Sequence, residues 1–439
     1  MARPLPRRAG RRQQQRRPRK PVPPAQSENL GDGGLGKGKG NKEELSPKIT
    51  GLPTGLSVTW LGTSSGAPTT TRNVSSIACR FHHATYLVDC GEGTQTQLIK
   101  SDIYPGHIKR IFITHLHGDH CFGLPGLLNM ISTVRQYSWT GEPVHVYGPP
   151  GLEELLKMSL PHWYGRLYMP VHVTEFTMDA SLAHEPRPVV KGKKGEVTVA
   201  RMAPTTSLGR LVHRHLPPFQ VGNRGLGVKL REGVLEGHQW VIPCEEGITV
   251  TAAQLQHRVP CWGYIMSEEE YIPSDWEVQL EKKRREKQRA ELPDPPPGVL
   301  WVDPDPGTAL RVPGRKVVLL GDTCNSDALA QAAYGADLVS HEATFAKGME
   351  EKAEVAQHST AVMAGEFARK IGAKQLVLTH FSPRYQQNSS SDSSTISRLV
   401  EEAKQGFRSD NVVAAQDFFT FDVPKRRPNR VSSADEAMI

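Results

Sequence analysis

From residue 56 onward the chain repeats one pattern: a short run of alternating or continuous apolar residues, then a polar turn. Leu56–Leu61, Ile77–Phe81, Thr85–Val88 and Ile108–Thr114 have the length and β-branched content of strands. Helical spacing takes over at Leu127–Val134, followed by a strand at Val144–Tyr147 and a helix opening near Gly151. Later strands at Lys316–Leu320 and Gln375–Leu378 alternate with helices around Asp327–Ala333 and Ser359–Ile371. Strand runs at both ends of a domain, with helices between, predict an α/β fold of the αββα sandwich type. Two stretches break the pattern and fit no compact core, 181–245 and the charged Asp275–Leu292 with the Pro-rich Pro293–Gly307. Loops of that length are functional or disordered. Residues 1–55 are rich in Arg, Pro, Gln and Gly and bury too little apolar surface to offset chain entropy. The expected organisation is a disordered basic tail over 1–55, a folded domain over 56–423 with an insertion at 181–245, and a disordered tail over 424–439.

Composition changes this picture in three places. With 37% hydrophobic residues in 439, the chain can bury a large core, yet no apolar run is long enough to span a membrane. The net charge of +8 is local, because residues 1–50 carry 13 Lys and Arg against four acids. The remainder is nearly neutral, so the basic balance says little about the surface around any active site. Six cysteines without a C-x-x-C pair exclude a zinc knuckle and a disulfide scaffold, and fit a reducing compartment. Arg7–Lys20 reads equally as a nuclear signal, an organellar transit segment or an RNA grip, so the expected location is the nucleus or an organelle (chloroplast or mitochondrion).

The chemistry is concentrated in Thr114-His115-Leu116-His117-Gly118-Asp119-His120, directly after the strand Ile108–Ile113. Alternate residues at a strand end project the same way, so His115 and His117 can grip one metal while Asp119 and His120 face a second. Imidazole and carboxylate suit zinc, and a shell without thiolate leaves room for water, as hydrolysis requires. One cluster cannot fill two metals, so further ligands must come from other strand ends. His257 closes the run Ile248–Leu255, Asp322 follows Val317–Gly321, and His380 follows Leu376–Thr379. Taken alone, each reads more readily as an ordinary polar strand end than as a ligand.

The order His-x-His-x-Asp-His, lone His, Gly321-Asp322-Thr323, lone His resembles the metallo-β-lactamase superfamily. Further strings are similar to the tRNase Z family, in its short form: Leu61–Gly66, Pro68–Asn73, Val88–Gln95, Phe122–Leu128, His341–Phe345 and His358–Thr360. Together they cover roughly 56–180 and 246–423. The resemblance implies two zinc ions per subunit, one held by His115, His117 and His257, the other by Asp119, His120 and His380, with Asp322 bridging. It implies catalytic parts for Asp119, as water-orienting carboxylate, and for Glu342 with His358, as a proton donor to the leaving ribose oxygen. Asp89 and His341 are expected to support ligands, and Arg72 and Asn73 to contact substrate phosphate. Bland alternatives stand beside each: a turn carboxylate at Asp89, a helix-start histidine at His358 beside Ser359 and Thr360, a β-turn at Arg72–Asn73.

The function implied by the resemblance is that of a zinc endoribonuclease that removes the 3′ trailer of precursor tRNA, leaving a 3′ hydroxyl, as a homodimer with no membrane association. The family's tRNA-gripping arm is expected within 268–315, where Lys282-Lys283-Arg284-Arg285 and Lys287 interleave with Glu277, Glu281, Glu286 and Glu291. An ordinary solvated helix is the competing reading there. His213-Arg214-His215 lacks a following Asp-His and is not expected to hold metal. Competing functions are a small-molecule phosphodiesterase, arylsulfatase or lactonase on the same metals, and a metal-free RNA-binding scaffold.

Overall fold

The computed structural model describes residues 55–82, 84–136, 142–160, 167–176, 239–244, 247–271, 283, 312–385 and 395–426, with the strand segments 212–215, 234–236, 310–311 and 429–430. The strands are β1 (Ser57–Gly62), β2 (Ser76–Arg80), β3 (Thr85–Val88), β4 (Ile108–Phe112), β5 (Val144–Gly148), β6 (Val171–Glu175), β7 (Val212–His215), β8 (Val234–Glu236), β9 (Gln239–Pro243), β10 (Ile248–Leu255), β11 (Cys261–Glu268), β12 (Leu310–Arg311), β13 (Lys316–Leu319), β14 (Leu338–Glu342), β15 (Leu376–Thr379), β16 (Val412–Ala414), β17 (Phe419–Asp422) and β18 (Asn429–Arg430). The helices are α1 (Thr94–Lys100), α2 (Gly118–Cys121), α3 (Leu124–Arg135), α4 (Leu152–Ser159), α5 (Ala330–Ala333), α6 (Glu350–Ala356), α7 (Ala361–Lys370) and α8 (Ile396–Phe407).

Two eight-stranded sheets result, ordered β17-β1-β2-β3-β4-β5-β6-β7 and β16-β15-β14-β13-β11-β10-β9-β8. Alternation along each strand sends one set of side chains into the space between them, where Trp60, Tyr86, Phe112, Trp262 and Tyr264 are buried. Each such ring removes about 150–250 Å² from water. The opposite faces are covered by helices. Leu98, Leu127, Ile131 and Leu156 pack on Ile111, Ile113 and Val146. Phe367, Leu399 and Phe407 pack with Val318, Val339 and Leu378. The αββα sandwich is therefore the observed fold.

The topology also places the site. β3 to β6 run parallel, as do β13 to β16, so the polar residues that follow β3, β4, β13 and β15 leave their sheets at carboxyl ends. Two cross-sheet bonds anchor the end of β4: Trp262 N–H donates to the Thr114 carbonyl at 2.9 Å, and Tyr264 O–H donates to the Ile113 carbonyl at 2.6 Å.

Two boundaries move. Gln239–Pro243 lie inside the stretch expected to fit no core, yet they pair with β10, and Trp240 and Ile242 are buried between the sheets. The flanking polar and Gly/Pro-rich residues masked this short run. Nor does order stop at residue 423, since Arg426 donates to Asp337 at 2.9 Å and β18 pairs with β12. The tail 1–54 and the arm residues 272–309, apart from Lys283, lie outside the described residues. Among the described residues no helix is long and apolar enough to cross a membrane.

Candidate metal centre

The loops after β4, β10, β13 and β15 bring seven side chains from four places in the sequence onto one end of the sandwich. His115, His117, His257 and Asp322 form one group whose donor atoms lie within 4.8 Å of each other, and Asp119, His120 and His380 form a second. Asp322 faces both: Oδ2 is 3.6 Å from His115 Nε2, while Oδ1 is 3.5 Å from His120 Nε2 and 3.3 Å from His380 Nδ1. All seven residues anticipated as ligands thus meet. Only His117 and Asp119 among them are not buried.

The surrounding hydrogen bonds decide which ring nitrogen each histidine offers. His120 Nδ1–H donates to Asp89 Oδ2 at 2.6 Å. His257 Nδ1–H donates to the Gln357 carbonyl at 2.7 Å, and Gln357 is held at φ 54°. Thr344 O–H donates to the His380 carbonyl, so its oxygen accepts from His380 Nδ1–H at 3.1 Å. His115 Nδ1 lies 3.0 Å from the Thr114 hydroxyl, which itself donates to Asp89. Four rings therefore present Nε2 inward, while His117 turns Nδ1 toward His115 Nε2 at 2.8 Å. Orienting partners of this kind fix the tautomer a metal needs.

The donor set fits a metal on two counts. His257 Nε2 is buried with no hydrogen-bond partner, an uncompensated cost unless a cation takes its lone pair. Burial also lowers His115 well below the ordinary histidine range, lowers His257, and takes His117 to about 4, so three rings are neutral with lone pairs available. His120 differs. Burial opposes its charge, but Asp322 and Asp89 raise it well above the ordinary range, which marks a place where the carboxylates favour positive charge. Neutral imidazoles and carboxylates without thiolate suit zinc.

Beside this group, His358 Nδ1 lies 2.9 and 3.0 Å from the two Glu342 oxygens. Burial works against its charge, yet the Glu342 carboxylate raises it to about 9. Glu342 in turn accepts from Thr323 N–H at 2.7 Å. Asp89 accepts from Thr114 N–H, Thr114 O–H and His120 at once, as a support for ligands should. His341 does not take that role. Neighbours on a strand point to opposite faces, so with Glu342 in the site His341 faces Phe367 and Ser326, its Nδ1 donating to the Glu342 carbonyl.

Arg72 and Asn73, expected at substrate phosphate, are bonded within the protein. The Arg72 guanidinium is buried over the Phe381 ring and donates to Thr63 Oγ1 at 2.6 Å and the Ala415 carbonyl at 2.7 Å. Asn73 donates from its backbone to Asp417 and from its side chain to the Glu92 carbonyl. Both hold the loop that carries Gly66, whose N–H donates to Asp119 Oδ2 at 2.7 Å. The sequence pattern missed Gly66, Thr114, Gln357 and Thr344, because their contributions come through backbone groups or a hydroxyl that carries no spacing signal.

Comparison with known proteins agrees with this geometry. The family model described as anti-Pycsar protein Apyc1 matches residues 56–165. The chain is 32% identical over 396 residues to zinc phosphodiesterase ELAC protein 1 of Mus musculus, covering 85% of this chain and 99% of that protein. It is 32% identical over 390 residues to ribonuclease Z of Microcystis aeruginosa, covering 85% and 98%. The crystal structure of human tRNase Z, short form, aligns with a TM-score of 0.53 at 29% identity, over 84% of this chain and 99% of that one. Shared sequence across nearly the full length of such relatives, on a shared fold, places this chain in the ribonuclease Z (tRNase Z) family of metallo-β-lactamase-fold proteins.

Proposed function

We propose that the chain is a zinc-dependent endoribonuclease that hydrolyses one phosphodiester of precursor tRNA, removing the 3′ trailer and leaving a 3′ hydroxyl on the tRNA. The observation that carries this reading is the meeting of seven metal-binding side chains around Asp322, with the His358–Glu342 pair at their side. Two zinc ions are assigned, one to His115, His117 and His257, the other to Asp119, His120 and His380, with Asp322 shared. Bound zinc supplies Lewis acidity, acidifying water and offsetting the charge that develops on the phosphate. Asp119, steadied by Gly66 N–H, orients the attacking water. His358, charged through Glu342, gives its proton to the departing ribose 3′ oxygen, which becomes the hydroxyl of the product. Glu342 holds the imidazolium and keeps its ring aimed.

The RNA body would be read by shape and phosphate contacts. Homodimerisation, with the arm over 268–315 supplied by the partner subunit, and an address in the nucleus or an organelle conferred by the Arg-rich start rest on family resemblance and composition alone. The test is to offer the zinc-loaded protein a precursor tRNA with a 3′ trailer beside an aryl sulfate, a lactone and a small phosphodiester. Preferred cleavage of the RNA supports the reading; turnover of only the small substrates refutes it.

A further inference from the structure

We infer that Phe122 is a stacking platform for the unpaired nucleotide next to the scissile phosphate, an inference that rests on the endoribonuclease reading. Phe122 is 65% exposed, two residues after His120. Among the described residues it is the only exposed large apolar side chain within two positions of a proposed ligand. The location matters because the metal centre opens on this side: His117, Gly118 and Asp119 keep solvent contact, while the other ligands are buried. The exposed residues Gly66, Ala67 and Pro68 border the same opening through the Gly66 bond to Asp119. A substrate phosphate that reaches the metals must enter past this turn.

The local backbone is shaped around the ring. A Cβ on Gly118 would meet Phe122 Cε2 at 2.6 Å and Cδ2 at 2.7 Å, so the phenyl lies directly on the Gly118 backbone with its far side in water. The next residue is constrained as well, since a Cβ on Gly123 would meet the Gly91 carbonyl oxygen at 2.1 Å. The ring is therefore held at one edge of the metal-ligand turn and exposed, where a smaller or polar residue would cost less. Aromatic faces accept any base, which suits an enzyme whose substrates share a shape and differ in sequence. Stacking of the nucleotide beside the cleaved bond would fix the phosphate relative to Asp119 and leave the chemistry of small phosphodiesters untouched.

The test compares full-length wild type, Phe122→Ala, Phe122→Leu and Phe122→Trp in three measurements: kcat/KM on a trailer-bearing precursor tRNA, turnover of bis(4-nitrophenyl) phosphate, and sedimentation. Phe122→Ala and Phe122→Leu should each lose roughly 10- to 100-fold on the RNA, the worth of one base stack, and Phe122→Trp should recover most of it. Turnover of the small diester and the sedimentation coefficient should match wild type in all three. Equal RNA cleavage by Phe122→Ala overturns the inference, as does full rescue by Leu, which would make the contact merely apolar. A parallel fall in small-diester turnover overturns it in favour of a structural role, and a changed sedimentation coefficient in favour of a subunit contact. Wild type that fails to cut the RNA but turns over the diester would instead sink the endoribonuclease reading itself.

Discussion

Replacing Asp89 by Asn changes one charge at a point where the structure gives it two jobs. Oδ1 accepts from Thr114 N–H and O–H at 2.8 and 2.9 Å, and Oδ2 accepts from His120 Nδ1–H at 2.6 Å. Asparagine can keep the first job with its carbonyl oxygen, and it tolerates the left-handed backbone that Asp89 adopts at φ 62°. It cannot keep the second. An amide NH₂ facing His120 would push the ring proton onto Nε2, the nitrogen that faces Asp119 and His380, 3.2 Å from His380 Nε2. Loss of an orienting carboxylate of this kind costs about 10- to 100-fold in metal affinity, or about 1.4–2.8 kcal/mol. The assay is zinc retention against a graded chelator series, read as metal per chain, with melting followed in parallel on the metal-free protein. One ion should be released at chelator strengths that leave wild type loaded, and the metal-free variant should melt below metal-free wild type, because the buried His120 loses its carboxylate partner. Wild-type zinc retention in Asp89→Asn would refute the view that Asp89 sets the His120 tautomer.

Removing the proton donor should separate chemistry from binding: His358→Ala is expected to lower the cleavage rate by about 10²- to 10⁴-fold with zinc content and tRNA affinity unchanged. Metal loss in that variant would make His358 a ligand. Because Arg72 is committed within the protein, Arg72→Ala should destabilise by about 2–4 kcal/mol in denaturant melts; unchanged stability with weakened RNA binding would restore the substrate role first expected of it. At Asp337, burial raises the carboxyl, but Arg426, Lys374 and the Lys316 N–H together hold it below the usual range. A depressed folded-state value means stability present above the unfolded value near 4 and lost as pH falls through the folded one. Asp337→Asn should therefore lower the melting temperature at pH 7 and differ less from wild type below about pH 4; a gap that widens on acidification would contradict the sign.

Much of the centre was legible because ligands at strand ends leave a double mark, a dense polar cluster after an apolar run. His115 to His120 announce themselves in this way, and Asp322 and His380 follow once a second metal is required. His341 shows the limit: beside Glu342 in one motif, it faces the opposite side of β14, and strand phase at the end of a buried interior strand is not written in a short string of mixed polarity. Arg72 failed for a different reason, since a buried guanidinium over Phe381 and an exposed one look alike in sequence. β9 was hidden because five residues between polar neighbours give too short a period to register, although Trp240 and Ile242 are buried. The boundary near 423 failed because the partners of Arg426 lie some ninety residues earlier, beyond any local pattern.

The central claim is best tested by mapping the ends made on a 5′-labelled precursor tRNA by zinc-loaded protein. A single product, ending in a 3′ hydroxyl just after the discriminator nucleotide and absent with His117→Ala, is the predicted result. No cleavage, a ladder of products, or a 3′ phosphate end would contradict it.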